Sequence, residues 1–180
     1  KVNQKKTALE VAKQALVEAA TAEEKAKLKA DAAQLTKADE TGKTPDSIAA
    51  YETAYEKLKT QLEEAKAAAA AVEAKGNNAS KTEAQEAQAK VDAAKTALDK
   101  AAESLVNKAD KAELKTAKEA LNTLATAEDP TTGKTADSAK AYNDAKTAAQ
   151  EAIKEAETVI NDENATPEQV TAALEKVNAK

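Results

Sequence analysis

The chain has 180 residues, with 27 Lys+Arg against 32 Asp+Glu, a net charge of −5, and no Cys, Met, Trp, Phe or His. Without Cys and His there is no soft metal ligand and no thiol or imidazole chemistry. All 27 basic residues are lysine and only three residues are aromatic, so this mildly acidic chain lacks the arginines and stacking rings of a nucleic-acid surface. No run of about 18 apolar residues is present to span a membrane. Alanine supplies 48 residues, whereas Leu, Ile and Val together supply 24. So few large apolar residues would mark a disordered chain were they not placed periodically.

The periodicity begins at once. KVNQKKTALEVAKQALV at 1–17 sets Val2, Leu9, Ala12 and Leu16 at the alternating three-and-four spacing of a helix-bundle seam. The opening KVNQKK reads as the interior of a helix, so the chain is expected to be a piece of a longer protein. Thr21 and Glu24 form a capping pair that opens a helix over 21–38, with Leu28 and Leu35 on its buried face. TGKTPDS at 41–47 leads into a long helix over 45–75. Its seam runs Ile48, Tyr51, Tyr55, Leu58, Leu62, Ala65, Ala69 and Val72, and Gly76 is placed to end it in a left-handed conformation. Ser80 and Glu83 cap a helix over 80–106, with Val91, Ala94, Leu98, Ala101 and Leu105 along its seam. Asp110 and Glu113 do the same for 110–127, where Leu114, Leu121 and Leu124 mark the buried face. TGKTADS at 132–138 precedes a helix over 136–162 with Tyr142, Ala149, Ile153, Ala156 and Ile160. Thr166, Pro167 and Gln169 open the last one.

These elements are two copies of one unit. Residues 1–17 match KVDAAKTALDKAAESLV at 90–106, TGKTPDSIAAYETA at 41–54 matches TGKTADSAKAYNDA at 132–145, and NNAS at 77–80 matches ENAT at 163–166. The offsets run from 86 to 91 residues, so the unit is slightly under 90. Each unit holds an A-type helix (21–38, 110–127), a B-type helix (45–75, 136–162) and a C-type helix (80–106, with 1–17 as a further copy). A tight turn is expected between C and A. The fold expected is all-α: tandem three-helix bundles of the spectrin-like, left-handed kind, stacked end to end into an elongated, monomeric rod of about 100 Å by helix rise. One division of the chain is 1–79, 80–165 and 166–180; the alternative phase is 19–107 and 108–180.

The chemically suggestive residues each have a structural reading. A phosphate loop needs GxxxxGK[ST] after a strand, which would put its first glycine at 37 or 128. Lys37 and Glu128 stand there, and no strand precedes them. Gly42 and Gly133 instead turn the chain, and Thr44 and Thr135 cap the B-type helices. Most carboxylates have a lysine three or four residues away, Glu86 with Lys90 among them, and read as solvated faces. Tyr51 and Tyr142 occupy the same repeat position and read as core with the hydroxyl at the rim. Asn78 and Asn164 fit a glycosylation acceptor pattern, but their hydroxyl partners Ser80 and Thr166 are already assigned as caps. No catalytic residue, cofactor site or metal site is assigned, and no enzyme activity is expected.

The pattern T-x-x-S-x-x-x-aromatic-x-x-A, here Thr44, Ser47, Tyr51 and Ala54 and again Thr135, Ser138, Tyr142 and Ala145, resembles the FIVAR module. Ala165, Thr166, Val170 and Ala173 supply its second half. The family's large aromatic after the serine is Ile48 in one copy and Ala139 in the other, which implies a leaner core. The resemblance implies an extracellular, wall-attached surface protein of Gram-positive bacteria, an adhesin with roles in cell adhesion and biofilm. In it these repeats are a non-enzymatic stalk, or themselves a weak multivalent module for a host extracellular-matrix or serum protein such as fibronectin. It implies no particular ligand-binding residues.

Overall fold

The computed structural model describes residues 1–180 and contains seven α-helices and no named strand. They are α1 (Val2–Gln14), α2 (Ala22–Ala33), α3 (Pro45–Lys75), α4 (Lys81–Ala102), α5 (Ala112–Ala125), α6 (Ala136–Asn161) and α7 (Pro167–Asn178), with a 3-10 turn at Gly76–Asn78 after α3. The chain forms two compact units. The first comprises Lys1–Asp39 and Tyr51–Glu103, the second Glu40–Ala50 and Ser104–Lys180.

In the first unit the seam residues of α2, α3 and α4 close on one core. Leu28 and Leu35 meet Leu62 and Val72 of α3 and Val91 and Leu98 of α4, with alanines filling the remainder. Alanine lets helices approach closely but removes little apolar area from water, so each large side chain carries an unusual share of the stability. In the second unit α5, α6 and α7 all pack on one another. Leu114 and Leu121, Ile153, and Val170 and Val177 form that core, again with alanines between.

The helix starts follow the caps. Thr21, Ser80 and Thr166 each accept the N–H of the residue three places on, and Glu24, Glu83 and Gln169 reach back to the cap's own N–H. Pro167 takes the first helical position, where a missing N–H costs nothing. Gly76 has φ +54°, the left-handed geometry that a terminating glycine supplies.

The Ser80 box is reinforced by Lys75, whose ammonium hydrogen-bonds Glu83. That bond and the Ser80 N–H hold the Glu83 carboxyl at about 2, against an ordinary 4.5. A depressed carboxylate stabilises the folded chain above its ordinary value, and the contribution is lost as pH falls through about 2. A carboxyl NMR titration should find Glu83 near that value, and Lys75→Gln should raise it. Ser80→Ala is expected to cost about 1 kcal/mol through the lost cap, read by chemical denaturation.

Four local expectations are corrected. The A-type helices are shorter than 21–38 and 110–127. After Ala33 the chain leaves the helix, and the Ala38 N–H donates to the Tyr51 hydroxyl at 2.7 Å instead of to an i−4 carbonyl. Asp110 and Glu113 form no capping pair: α5 starts after Lys111, which provides no side-chain cap, and Asp110 Oδ1 accepts the Ala112 N–H. α4 stops at Ala102, short of 106, because the segment beyond it is used in backbone pairing. Finally, C and A are joined by extended segments and not by tight turns. Ala19 bridges Ser80, with Ala20 N–H on Ala79 O and Lys81 N–H on Glu18 O, each at 2.8 Å.

Candidate functional site

The first Gly-Lys-Thr triplet lies in the second unit, in the segment entering α3. Gly42 has φ +71°, which turns the chain. Lys43 then bridges Asn107 in antiparallel fashion. The Thr44 N–H donates to Val106 O and the Lys108 N–H to Gly42 O, both at 2.8 Å. Ser47 Oγ donates to Thr44 O at 2.9 Å, and the Asp46 N–H donates to Asn164 Oδ1 at 2.9 Å. Lys43 Nζ reaches Asn107 Oδ1 at 2.7 Å. Thr44 and Ser47 are both buried. A phosphate cradle requires a row of free N–H groups and a free lysine. Here Thr44 and Asp46 have spent their N–H groups on the protein, and the lysine is held as well. The site is a structural clasp.

The second triplet keeps the turn without the clasp. Gly133 has φ +75°. Thr135 caps α6 by accepting the Ser138 N–H at 3.4 Å, while Ser138 Oγ donates to Thr135 O at 3.0 Å. Both residues are exposed, where their counterparts Thr44 and Ser47 are buried.

The tyrosines differ in the same way. Tyr51 is fully buried, its ring centroid 6.0 Å from that of Tyr55. Tyr142 is only half-buried, with Lys146 Nζ 6.0 Å above its ring. Leu124, expected on the buried face of α5, is 71% exposed on the last turn of that helix. The apolar residues of α1 and of the segment after it are exposed, with Val2 and Leu9 in the helix and Leu16 and Val17 beyond it all above 70%.

The remaining candidates are surface features. Ion pairs such as Lys95–Asp99, Lys140–Asp144 and Lys176–Glu155 join exposed side chains, a class worth about 0–1 kcal/mol each. No group of three or more acidic residues is arranged to hold a metal ion. A groove between α3 and α4, lined by Ala68, Val72, Lys75, Glu83 and Lys90, has a volume of only about 170 Å³. That is below the roughly 300–1,000 Å³ of a small-molecule site. No helix is long and apolar enough to cross a membrane. The pairing of 41–47 with 106–108 was not readable from sequence, because its main-chain bonds carry no residue signature.

Comparison with known proteins places these features. The FIVAR domain model matches residues 24–99 and 117–180. Extracellular matrix-binding protein EbhB of Staphylococcus aureus strain Newman is 37% identical over 140 residues, which is 78% of this chain and 2% of that protein. The EbhB protein of S. aureus strain N315 is 36% identical over the same length, 4% of its own. The chain therefore spans a few hundredths of the curated relatives it matches. A solved structure from a study of extracellular matrix binding protein (Embp)-mediated adherence of Staphylococcus epidermidis to fibronectin aligns with 86% of this chain and 92% of its own, at 30% identity and a TM-score of 0.50.

Proposed function

The chain belongs to the FIVAR family, a non-enzymatic one, and on that premise we propose that it is a repeat segment of a bacterial surface adhesin. It lies outside the cell, attached to the cell wall, and acts as a stalk that spaces a distal domain from the wall. The observation that carries this reading is the repetition itself. Two units build their cores from matching helix seams of Leu, Val, Ile and Ala, and the groove between α3 and α4, at about 170 Å³, is smaller than a ligand site. The boundary we favour for the repeat is A-B-C, residues 19–107 and 108–180, since each core draws on one A, one B and one C helix. Mixed Lys/Glu surfaces keep such a segment soluble and monomeric at low concentration.

A second reading makes the repeats themselves a weak, multivalent binder of a host matrix protein. It is favoured by the names of the relatives and by the fibronectin context of the structural neighbour. Surface plasmon resonance on immobilised fibronectin, fibrinogen and albumin separates the two. The stalk reading expects no response below about millimolar, and micromolar binding would move the function to the repeats. Small-angle scattering at low concentration tests the stalk directly: an elongated distance distribution is expected, and a compact globular radius would overturn it.

A further inference from the structure

The two copies of the repeat share a scaffold but not a surface. Tyr51 and Tyr142 hold the same position, and the residues around them differ. Glu52, Tyr55 and Glu56 of α3 correspond to Asn143, Lys146 and Thr147 of α6. In α6 the chain places its own cation on the aromatic face, with Lys146 Nζ 6.0 Å from the centre of the Tyr142 ring. In α3 the same place carries a second ring and two carboxylates. There Lys37, Glu52, Tyr55 and Glu56 line a concavity of about 220 Å³. That is below the roughly 300–1,000 Å³ of a small-molecule site and is the size for one side chain.

The first core fixes the geometry of this concavity. Tyr51 is fully buried, and the Tyr55 ring lies 6.0 Å from it at a tilt of 41°. Tyr55 itself is only half-buried, so one side of the ring is held by packing and the rest borders the concavity. Glu52 and Glu56 are four residues apart and therefore neighbours on one face of α3. Lys37 Nζ holds Glu52 at 3.0 Å. Glu56 is engaged more loosely. Both its oxygens stand 3.4 Å from Lys59 Nζ, long for a charged pair, and the Lys59 side chain is 55% exposed.

We propose that this concavity takes an arginine side chain of another protein. The guanidinium plane lies against the Tyr55 ring, its N–H fork meets the Glu56 carboxylate, and Lys59 turns out to water. Arginine fits better than lysine because its cation is planar, stacks on a ring and is the more weakly hydrated of the two. All 27 basic residues of this chain are lysine, so the occupant comes from a different protein and not from a second copy. One such contact is weak, and it gains strength when several are engaged at once. The site goes beyond the stalk reading without depending on it: a stalk can carry it, and losing it leaves the stalk as it stands.

Aromatic NMR of the whole chain is the test. The only aromatic residues are three tyrosines, so the ring signals are few, and Tyr55→Leu identifies those of Tyr55. Titration with N-acetyl-arginine methylamide should move the Tyr55 signals to saturation with a Kd on the order of 10 mM. The Tyr142 signals should stay in place. The lysine counterpart of the same compound should bind at least about 3-fold more weakly. Glu56→Gln should weaken binding of the arginine compound about 3-fold. Glu56 is exposed, so this variant should keep the helical circular dichroism of the wild type. Tyr55 signals that do not saturate by about 100 mM, equal shifts at Tyr142, equal binding of the two compounds, or binding unchanged by Glu56→Gln would each overturn the proposal.

Discussion

Replacing Tyr51 with alanine is expected to destabilise the protein by about 3–5 kcal/mol, while the same change at Tyr142 should cost less than about 1 kcal/mol. The two tyrosines hold one position in the two repeats, so sequence alone would forecast equal effects. Tyr51 is fully buried and its hydroxyl accepts the Ala38 N–H at 2.7 Å. Truncation removes a ring from a core short of large side chains, and it strands an N–H that has no helical partner. Tyr142 is half-buried on a stretch of α6 with no buried neighbour in its own helix. Tyr51→Phe divides the effect. It keeps the packing and loses the hydrogen bond, which should account for about 1–2 kcal/mol. Urea denaturation of the three variants checks the ordering.

Leu28→Ala is the second large effect, expected at about 2–5 kcal/mol. Leu28 is 1% exposed and sits where α2 meets the rest of the first core. The core it belongs to is rich in alanine, with Ala32, Ala65, Ala84 and Ala87 among its buried residues. Alanines have no rotamers with which to collapse into a void, so the cavity should stay open and the cost should lie toward the upper end. Leu124→Ala on α5 serves as the control. At 71% exposure it should change stability by less than about 0.5 kcal/mol. Equal losses at the two positions would mean that the first core is plastic enough to refill the site.

What was legible in the sequence was local. The long B-type helix was bounded at 45–75, as found, because Pro45 and Gly76 act on the backbone whatever surrounds them. The boxes at Thr21, Ser80 and Thr166 were equally clear, since each needs only the residue three places on. The C-type helix was read too long at 80–106, because nothing in ESLV reveals that the Val106 carbonyl would be used by Thr44. The seams were legible as faces but not as buried faces. Val91 and Val2 have the same pattern around them, yet one is fully buried and the other 82% exposed. Periodicity tells which side of a helix wants a partner; only the fold tells whether one is there. Among the candidate sites, the two Gly-Lys-Thr turns were read as structure, and the occupied N–H groups of the first give the physical reason.

The bridges Ala19–Ser80 and Lys43–Asn107 are made by main-chain groups. A clasp of that kind places no demand on which side chains lie beside it, only on the chain's path. Side chains beside such a clasp can be substituted without touching the bonds that make it. In this chain the change of offset from 91 to 86 residues lies in the B-type helix, 31 residues long in α3 and 26 in α6. A tandem array built this way can diverge surface by surface, presenting a different face in every copy while its scaffold stays the same.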